Sequence, residues 1–342
     1  GQYFTRAECA RLPEAFSKPA YLALEAERFL RENRERPFVL FVNFFEPHMP
    51  FTGPRDSQYD PAVIPLPENF NNPPGPEASL KARLFQRHYA ERGSGGNRLD
   101  GEAGWRRLIA NYWGLCSQVD THAGKILDAL DANGLRDNTL VVWTSDHGDM
   151  MGSHRIVAKC LQYEEAVSVP MMIRLPGQRR GRRITGPFSH IDVVPTLLDL
   201  MGQELPAHLQ GRSRRALVEA GGDGRLGDDV VIEWNGANSG LAGDVIGKPG
   251  LPSNLPEWMN GYGTREEILS ALCDPVRTII TPEGWKYTCS TRGDDELYDL
   301  NADPCENANL ARRPEQQARI RELRQRLAAW QQRTGDSAPL PR

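Results

Sequence analysis

The apolar pattern of this chain switches repeatedly between steps of three to four residues and short continuous runs, and the switches predict its elements. Leu22, Ala26, Phe29 and Leu30 recur among charges within residues 20–35, the spacing of a surface helix. Pro37 ends that pattern, since proline has no N–H to donate and its ring clashes with the preceding turn. Phe38-Val-Leu-Phe-Val-Asn-Phe-Phe45 then reads as a strand buried on both faces, as in parallel sheets. It stops at Glu46-Pro-His48-Met-Pro50. Eight prolines between Pro50 and Pro76 predict an irregular surface excursion, and the Gly-rich polar stretch 91–104 a flexible insert.

The clearest helix follows. Leu108, Tyr112, Leu115, Val119, Ala123, Ile126 and Leu130 share one face, and Gly134 supplies the stop. Thr139-Leu-Val-Val-Trp-Thr144 is a second buried strand, ending in Ser145-Asp146-His147-Gly148, and Val169 to Leu175 a third, closing at Pro176-Gly177. Asp192 is placed to cap a short helix through Met201. Strands alternating with helices predict an α/β domain with a mainly parallel sheet over residues 1–212. Beyond it the texture changes. Short strands at Val230–Trp234, Val276–Thr281, Trp285–Cys289 and Glu296–Leu300, then a charged helix near 313–332, predict a smaller antiparallel α+β subdomain over 213–342.

The 342 residues are 39% hydrophobic and 25% charged with a net charge of -4, an ordinary globular mixture with no basic footprint for nucleic acid. No run approaches the roughly 20 apolar residues of a membrane span. Arg179, Arg180, Arg182 and Arg183 form the one dense basic run, read as a solvated turn or an anion patch. The six cysteines, at 9, 116, 160, 273, 289 and 305, lack a Cys-x-x-Cys pair, which disfavours a zinc ribbon or thioredoxin-like site. Cys273, Cys289 and Cys305 leave open one disulfide or buried free thiols.

Position gives the polar residues their interest. Ligands of open parallel sheets bind outside the carboxyl ends of the strands, so His48 after one strand and Asp146 with His147 after another should meet on one rim. A carboxylate beside an imidazole is half of a divalent-cation site. Lys159 could neutralise an anionic group as a point charge, and the ordinary pKa of histidine suits His48 to acid–base work. Each of these also has a plain structural reading, as a polar turn, an exposed lysine and a packed histidine.

Four segments, in matching order and spacing, resemble those of the sulfatase family within the alkaline-phosphatase-like superfamily. They are Phe41-Val-Asn-Phe-Phe-Glu-Pro-His48-Met-Pro-Phe51, Gln118-Val-Asp120 leading to Gly134-Leu-Arg-Asp-Asn-Thr139, Thr144-Ser-Asp-His-Gly148 through Lys159 to Pro170, and Trp285-Lys-Tyr287 with Glu296-Leu-Tyr-Asp-Leu300 and Asp303-Pro304. The resemblance implies an incomplete alkaline-phosphatase-like core and a sulfuric ester hydrolase acting on sulfated small molecules or carbohydrates, or on aryl esters. Asp146 and His147 would ligate the metal, Ca²⁺ first, with Mn²⁺ or Mg²⁺ open because of the imidazole. Lys159 and His48 would contact the sulfate and its bridging oxygen. It also implies a periplasmic or secreted protein.

One departure matters. The family's nucleophile is a formylglycine made from cysteine in a Cys-x-Pro-Ser-Arg type motif near the N-terminus, and two further aspartates come from an N-terminal strand. Neither precedes residue 38, so the missing N-terminal portion is expected to supply them, and this chain alone is expected to be inactive. Cys273-Asp-Pro-Val-Arg277 fits a looser form of the motif but sits among the C-terminal strands. Rival readings are a phosphonate monoester or phosphodiester hydrolase of the same superfamily, and a non-catalytic remnant. Trp234, Asn235 and Tyr262 could line a sugar pocket or pack the surface.

Overall fold

The structure is a computed structural model that describes residues 12–220, 224–236, 241 and 255–341. Cys9 and most of the 236–265 loop lie outside them.

Helix α1, Lys18–Asn33, begins where the Ser17 side chain accepts a hydrogen bond from the Ala20 amide. It lies along α3, Glu102–Ala132, the long helix legible in the sequence. Between them in sequence comes α2, Leu80–Arg92, capped by Ser79; its apolar spacing was not singled out in the sequence. The stretch after it is not a loose insert. Gly93 turns the chain at φ 67°, Ser94 and Asn97 pair across the turn, and buried Leu99 offers its carbonyl to the Trp105 indole.

Strand β1, Val141–Thr144, is followed by the single turn α4, Glu164–Val167, and by β2, Met171–Arg174. The pair is antiparallel, with Val141 opposite Arg174 and Thr144 opposite Met171. Parallel pairing among the described residues is confined to β3, Ile184–Thr185, and β4, Gly224–Arg225. Between β3 and β4 lie α5, Val193–Leu200, and α6, Arg215–Glu219. Asp192 does not cap α5 with its side chain. Its carboxylate accepts instead from the Arg212 amide at 2.8 Å and from Arg214 Nε at 2.7 Å, tying the helix to the following loop.

The segment Phe38–Phe45 is extended but belongs to no sheet among the described residues. Phe38 packs edge-on against Phe29 of α1, and Leu40 joins a small cluster with Leu30, Leu130 and Val141. The alternate residues face outward: Val39 is 72% exposed and Phe41 82%. The expected burial on both faces is therefore met on one face only, since among the described residues no layer packs over Val39 and Phe41.

The C-terminal sheet matches its expectation closely. Strands β5, Val230–Trp234, β6, Val276–Ile280, β7, Trp285–Cys289, and β8, Glu296–Asp299, pair antiparallel in chain order. Helix α7, Arg265–Leu272, precedes β6 with a capping box between Thr264 and Glu267. Helix α8, Gln317–Thr334, covers the sheet by placing Ile320, Leu323 and Leu327 over Ile279, Tyr287 and Leu297. The largest apolar cluster draws on both sides of residue 212, from Phe51 and Trp105 to Ile268 and Tyr298.

Candidate active site

Strand β1 delivers the chain to a rim at Thr144, whose hydroxyl lies 3.3 Å from Nε2 of His190, a residue that the sequence did not mark. The turn that follows is pinned by Ser145, whose hydroxyl donates to the His147 carbonyl at 2.8 Å. Gly148 is required by space rather than by φ. A Cβ there would stand 2.0 Å from the Glu165 carbonyl oxygen, and its amide donates to Ala166 at 2.9 Å. The residues on either side of Lys159 in sequence are thereby clipped together.

Asp146 projects outward, with 84% of its side chain exposed. Partial burial opposes its charge, but His147 and nearby backbone amides hold its carboxyl below the ordinary value. His147 Nδ1 lies 2.8 Å from the Gly148 carbonyl, which can only accept, so Nδ1 carries a proton and Nε2 is the nitrogen turned toward Asp146. Nε2 stands 3.5 Å from Asp146 Oδ2. Two donors of a divalent-cation site thus face one another, with the imidazole oriented by a backbone carbonyl as metal-binding histidines usually are. Among the described residues no group of three or more His, Cys, Asp or Glu side chains converges, so the residues present fit one side of such a site and not a closed cage.

Asp149, which sequence reasoning missed, organises the next segment. Its carboxylate accepts from the Met151 amide at 3.0 Å and the Ala158 amide at 2.9 Å. Burial pushes its carboxyl up, while those amides and the charges of Lys159 and His147 pull it down. Five non-glycine residues here, Met151, His154, Arg155, Ala158 and Cys160, have positive φ. Such conformations cost about 1–3 kcal/mol each and persist only where the surroundings enforce them. Lys159 lies between two of them, half-buried, and among the described residues forms no hydrogen bond or ion pair.

Of the four expected site residues, Asp146 and His147 are in contact, and Lys159 shares the neighbourhood of Asp149 with His147. His48 is not hydrogen-bonded to any of these three. Its ring packs on Phe45 at 4.7 Å, and Nδ1 donates to the Met49 carbonyl at 2.8 Å. His154, five residues before Lys159, is structural: buried, packed on the Tyr163 ring, and lodged between the carbonyls of Asn72 and Cys305.

The loop is anchored from below by the C-terminal sheet. Lys286 of β7, fully buried, donates to Glu164 Oε1 at 2.9 Å and lies 2.8 Å from Glu306 Oε1, an ion contact off the hydrogen-bond line. Glu306 Oε2 accepts the Glu164 amide at 2.6 Å. Burial pushes the Glu306 carboxyl up to about 7 against the pull of Lys286. Lys286, although burial opposes its charge, is held above its ordinary value by Glu306 and Glu164.

Cys273, the motif look-alike, ends α7, and the Arg277 beside it is committed to Asp336 at 2.6 Å. Cys116, Cys160, Cys273, Cys289 and Cys305 are free thiols.

A carboxylate–imidazole pair at the end of a strand, with an ammonium on the loop beyond, has the donor types that can hold an anionic ester against a cation. The sulfatase family model matches residues 8–203, and the chain belongs to that family. It is 28% identical over 336 residues to the multifunctional alkaline phosphatase superfamily protein PehA of Trinickia caryophylli, covering 94% of this chain and 60% of that protein. It is 28% identical over 327 residues to the choline-sulfatase of Rhizobium meliloti, covering 90% and 54%. The fold is that of the phosphonate monoester hydrolase of Silicibacter pomeroyi, with TM-score 0.74 at 24% identity over 94% of this chain and 61% of that one. The chain therefore spans little more than half the length of these relatives.

Proposed function

We propose that this chain is the C-terminal portion of a metal-assisted sulfuric ester hydrolase, completed by a segment that carries the nucleophile and the remaining metal ligands. The observation that carries the reading is the Asp146–His147 pair, with both donors on one side and the imidazole held by a backbone carbonyl. The unpaired segment Phe38–Phe45 supports the fragment reading, since its exposed Val39 and Phe41 have the spacing of a strand face awaiting cover.

Asp146 and His147 would hold a divalent cation, Ca²⁺ in the first instance. Such an ion would draw negative charge from a sulfate oxygen when bound. Lys159, unpaired at its loop, would sit against the transferring group and favour its developing charge. His48, with Nδ1 held by the Met49 carbonyl, would in its protonated form pass the Nε2 proton toward the departing alcohol. Two imidazoles and one ammonium suit an anionic tetrahedral group whether sulfur or phosphorus is at its centre. The relatives include both chemistries by name, and a phosphonate monoester hydrolase is the second reading. A sulfated small molecule or carbohydrate, met in the periplasm or outside the cell, is the substrate this reading favours.

The test compares this chain with a version extended at its N-terminus to the length of its relatives. Hydrolysis of 4-nitrophenyl sulfate and of an aryl phosphonate is measured alongside Ca²⁺ and Mn²⁺ binding. The reading expects activity only in the extended protein, faster on the sulfate, and at least tenfold weaker metal binding in Asp146→Asn and His147→Ala. Turnover by the short chain, or unchanged metal binding in both variants, refutes it.

A further inference from the structure

We propose that a cavity between β2 and the β3–β4 ribbon binds a small amphipathic organic anion, its headgroup held by Arg174 and Arg182 and its alkyl or aryl body lying on Met171, Ile173, Phe188 and Leu217. The cavity measures about 480 Å³, within the ordinary range for sites that enclose small molecules. Its walls combine apolar side chains with five arginines and no acidic residue.

Two of those arginines carry buried, unsatisfied nitrogens. Nε and Nη2 of Arg174, and Nη1 of Arg182, are buried without a hydrogen-bond partner among the described residues. A buried guanidinium nitrogen left unpaired costs about 1–3 kcal/mol or more, so an acceptor entering the cavity would relieve that cost. Other arginines on the wall are already engaged: Arg214 with Asp192 at 2.6 Å and Asp228 at 2.5 Å, and Arg179 with Asp137 at 2.8 Å. Charge and space therefore agree on one class of occupant, a carboxylate or sulfate with an apolar tail. A bare inorganic anion would leave the apolar walls uncovered.

The arginine end of the cavity lies away from the candidate active site. Register sets Arg174 beside Val141, three positions up β1 from Thr144, which is roughly 10 Å along a strand. Binding there is measured without turnover, so its failure says nothing about the hydrolase reading.

The experiment is titration calorimetry of the chain with octyl sulfate, octanoate, octanol and inorganic sulfate. One-to-one binding of octyl sulfate or octanoate is expected, with octanol and inorganic sulfate at least tenfold weaker. Preference between the two anions tells a sulfate-ester occupant from a carboxylate one. Arg174→Gln and Arg182→Gln should each weaken binding at least tenfold while keeping the thermal transition. Should the variants fail to fold, phenylglyoxal labelling of the unaltered chain decides: the bound anion should slow modification of Arg174 and Arg182. Octanol binding as well as the anions, variants that bind like the parent, or labelling rates indifferent to the anion would each overturn the proposal.

Discussion

Lys286→Met removes the cation that lies against two carboxylates, one of them, Glu306, fully buried. Lys286 and Glu306 side chains are each 1% exposed, and Glu164 28%. Deleting one partner of a buried pair commonly costs about 3–5 kcal/mol, because the orphaned charge stays in a poor dielectric. That is a large share of the 5–15 kcal/mol by which domains are stable. The sign of the pH effect follows from Glu306, whose carboxyl stands at about 7 in the folded protein against 4.5 when unfolded. Between these values the folded state keeps a proton that the unfolded chain has lost. Its contribution is therefore fullest below 4.5 and is lost as pH rises through 7. Without Lys286 the folded value rises further, and the loss deepens at alkaline pH. Urea denaturation at pH 8 should show the 3–5 kcal/mol deficit, at pH 5.5 less than half of it, and Lys286→Met/Glu306→Gln should recover most of it at pH 8. A deficit below about 1 kcal/mol at pH 8, or one equal at both pH values, would refute the reasoning.

Three further outcomes are expected. Gly148→Ala drives a Cβ against the Glu165 carbonyl, so it should cost about 1–3 kcal/mol and speed hydrogen exchange at Gly148 and Ala166, read by mass spectrometry. Asp149→Ala strands the amides of Met151 and Ala158, at about 1–3 kcal/mol each, and should expose the 150–160 segment to limited proteolysis before the transition of the C-terminal sheet. Val39→Lys/Phe41→Glu should leave the melting temperature of this chain within about 2 °C, since both side chains are exposed, yet reduce its self-association in light scattering and block its completion by an added N-terminal segment.

Local pattern in the sequence was enough for α3, α8 and the four C-terminal strands, because each is specified by side chains close together along the chain: a repeating apolar face, or a short β-rich run between turns. The polar turn after β1 was legible for the same reason, and Asp146 and His147 could be named from the strand that precedes them. Only the tertiary structure decided what those residues touch. Gly148 is needed because Glu165 arrives from seventeen positions away, and Asp149 matters because it satisfies Ala158. Lys286 reads as a surface lysine until Glu164 and Glu306 close on it. Phe38–Phe45 carries the composition of a doubly covered strand, but cover is a property of neighbours, and composition cannot say which chain segment provides them. Periodicity records which face of an element turns inward; the partner that meets it is set by packing across the chain.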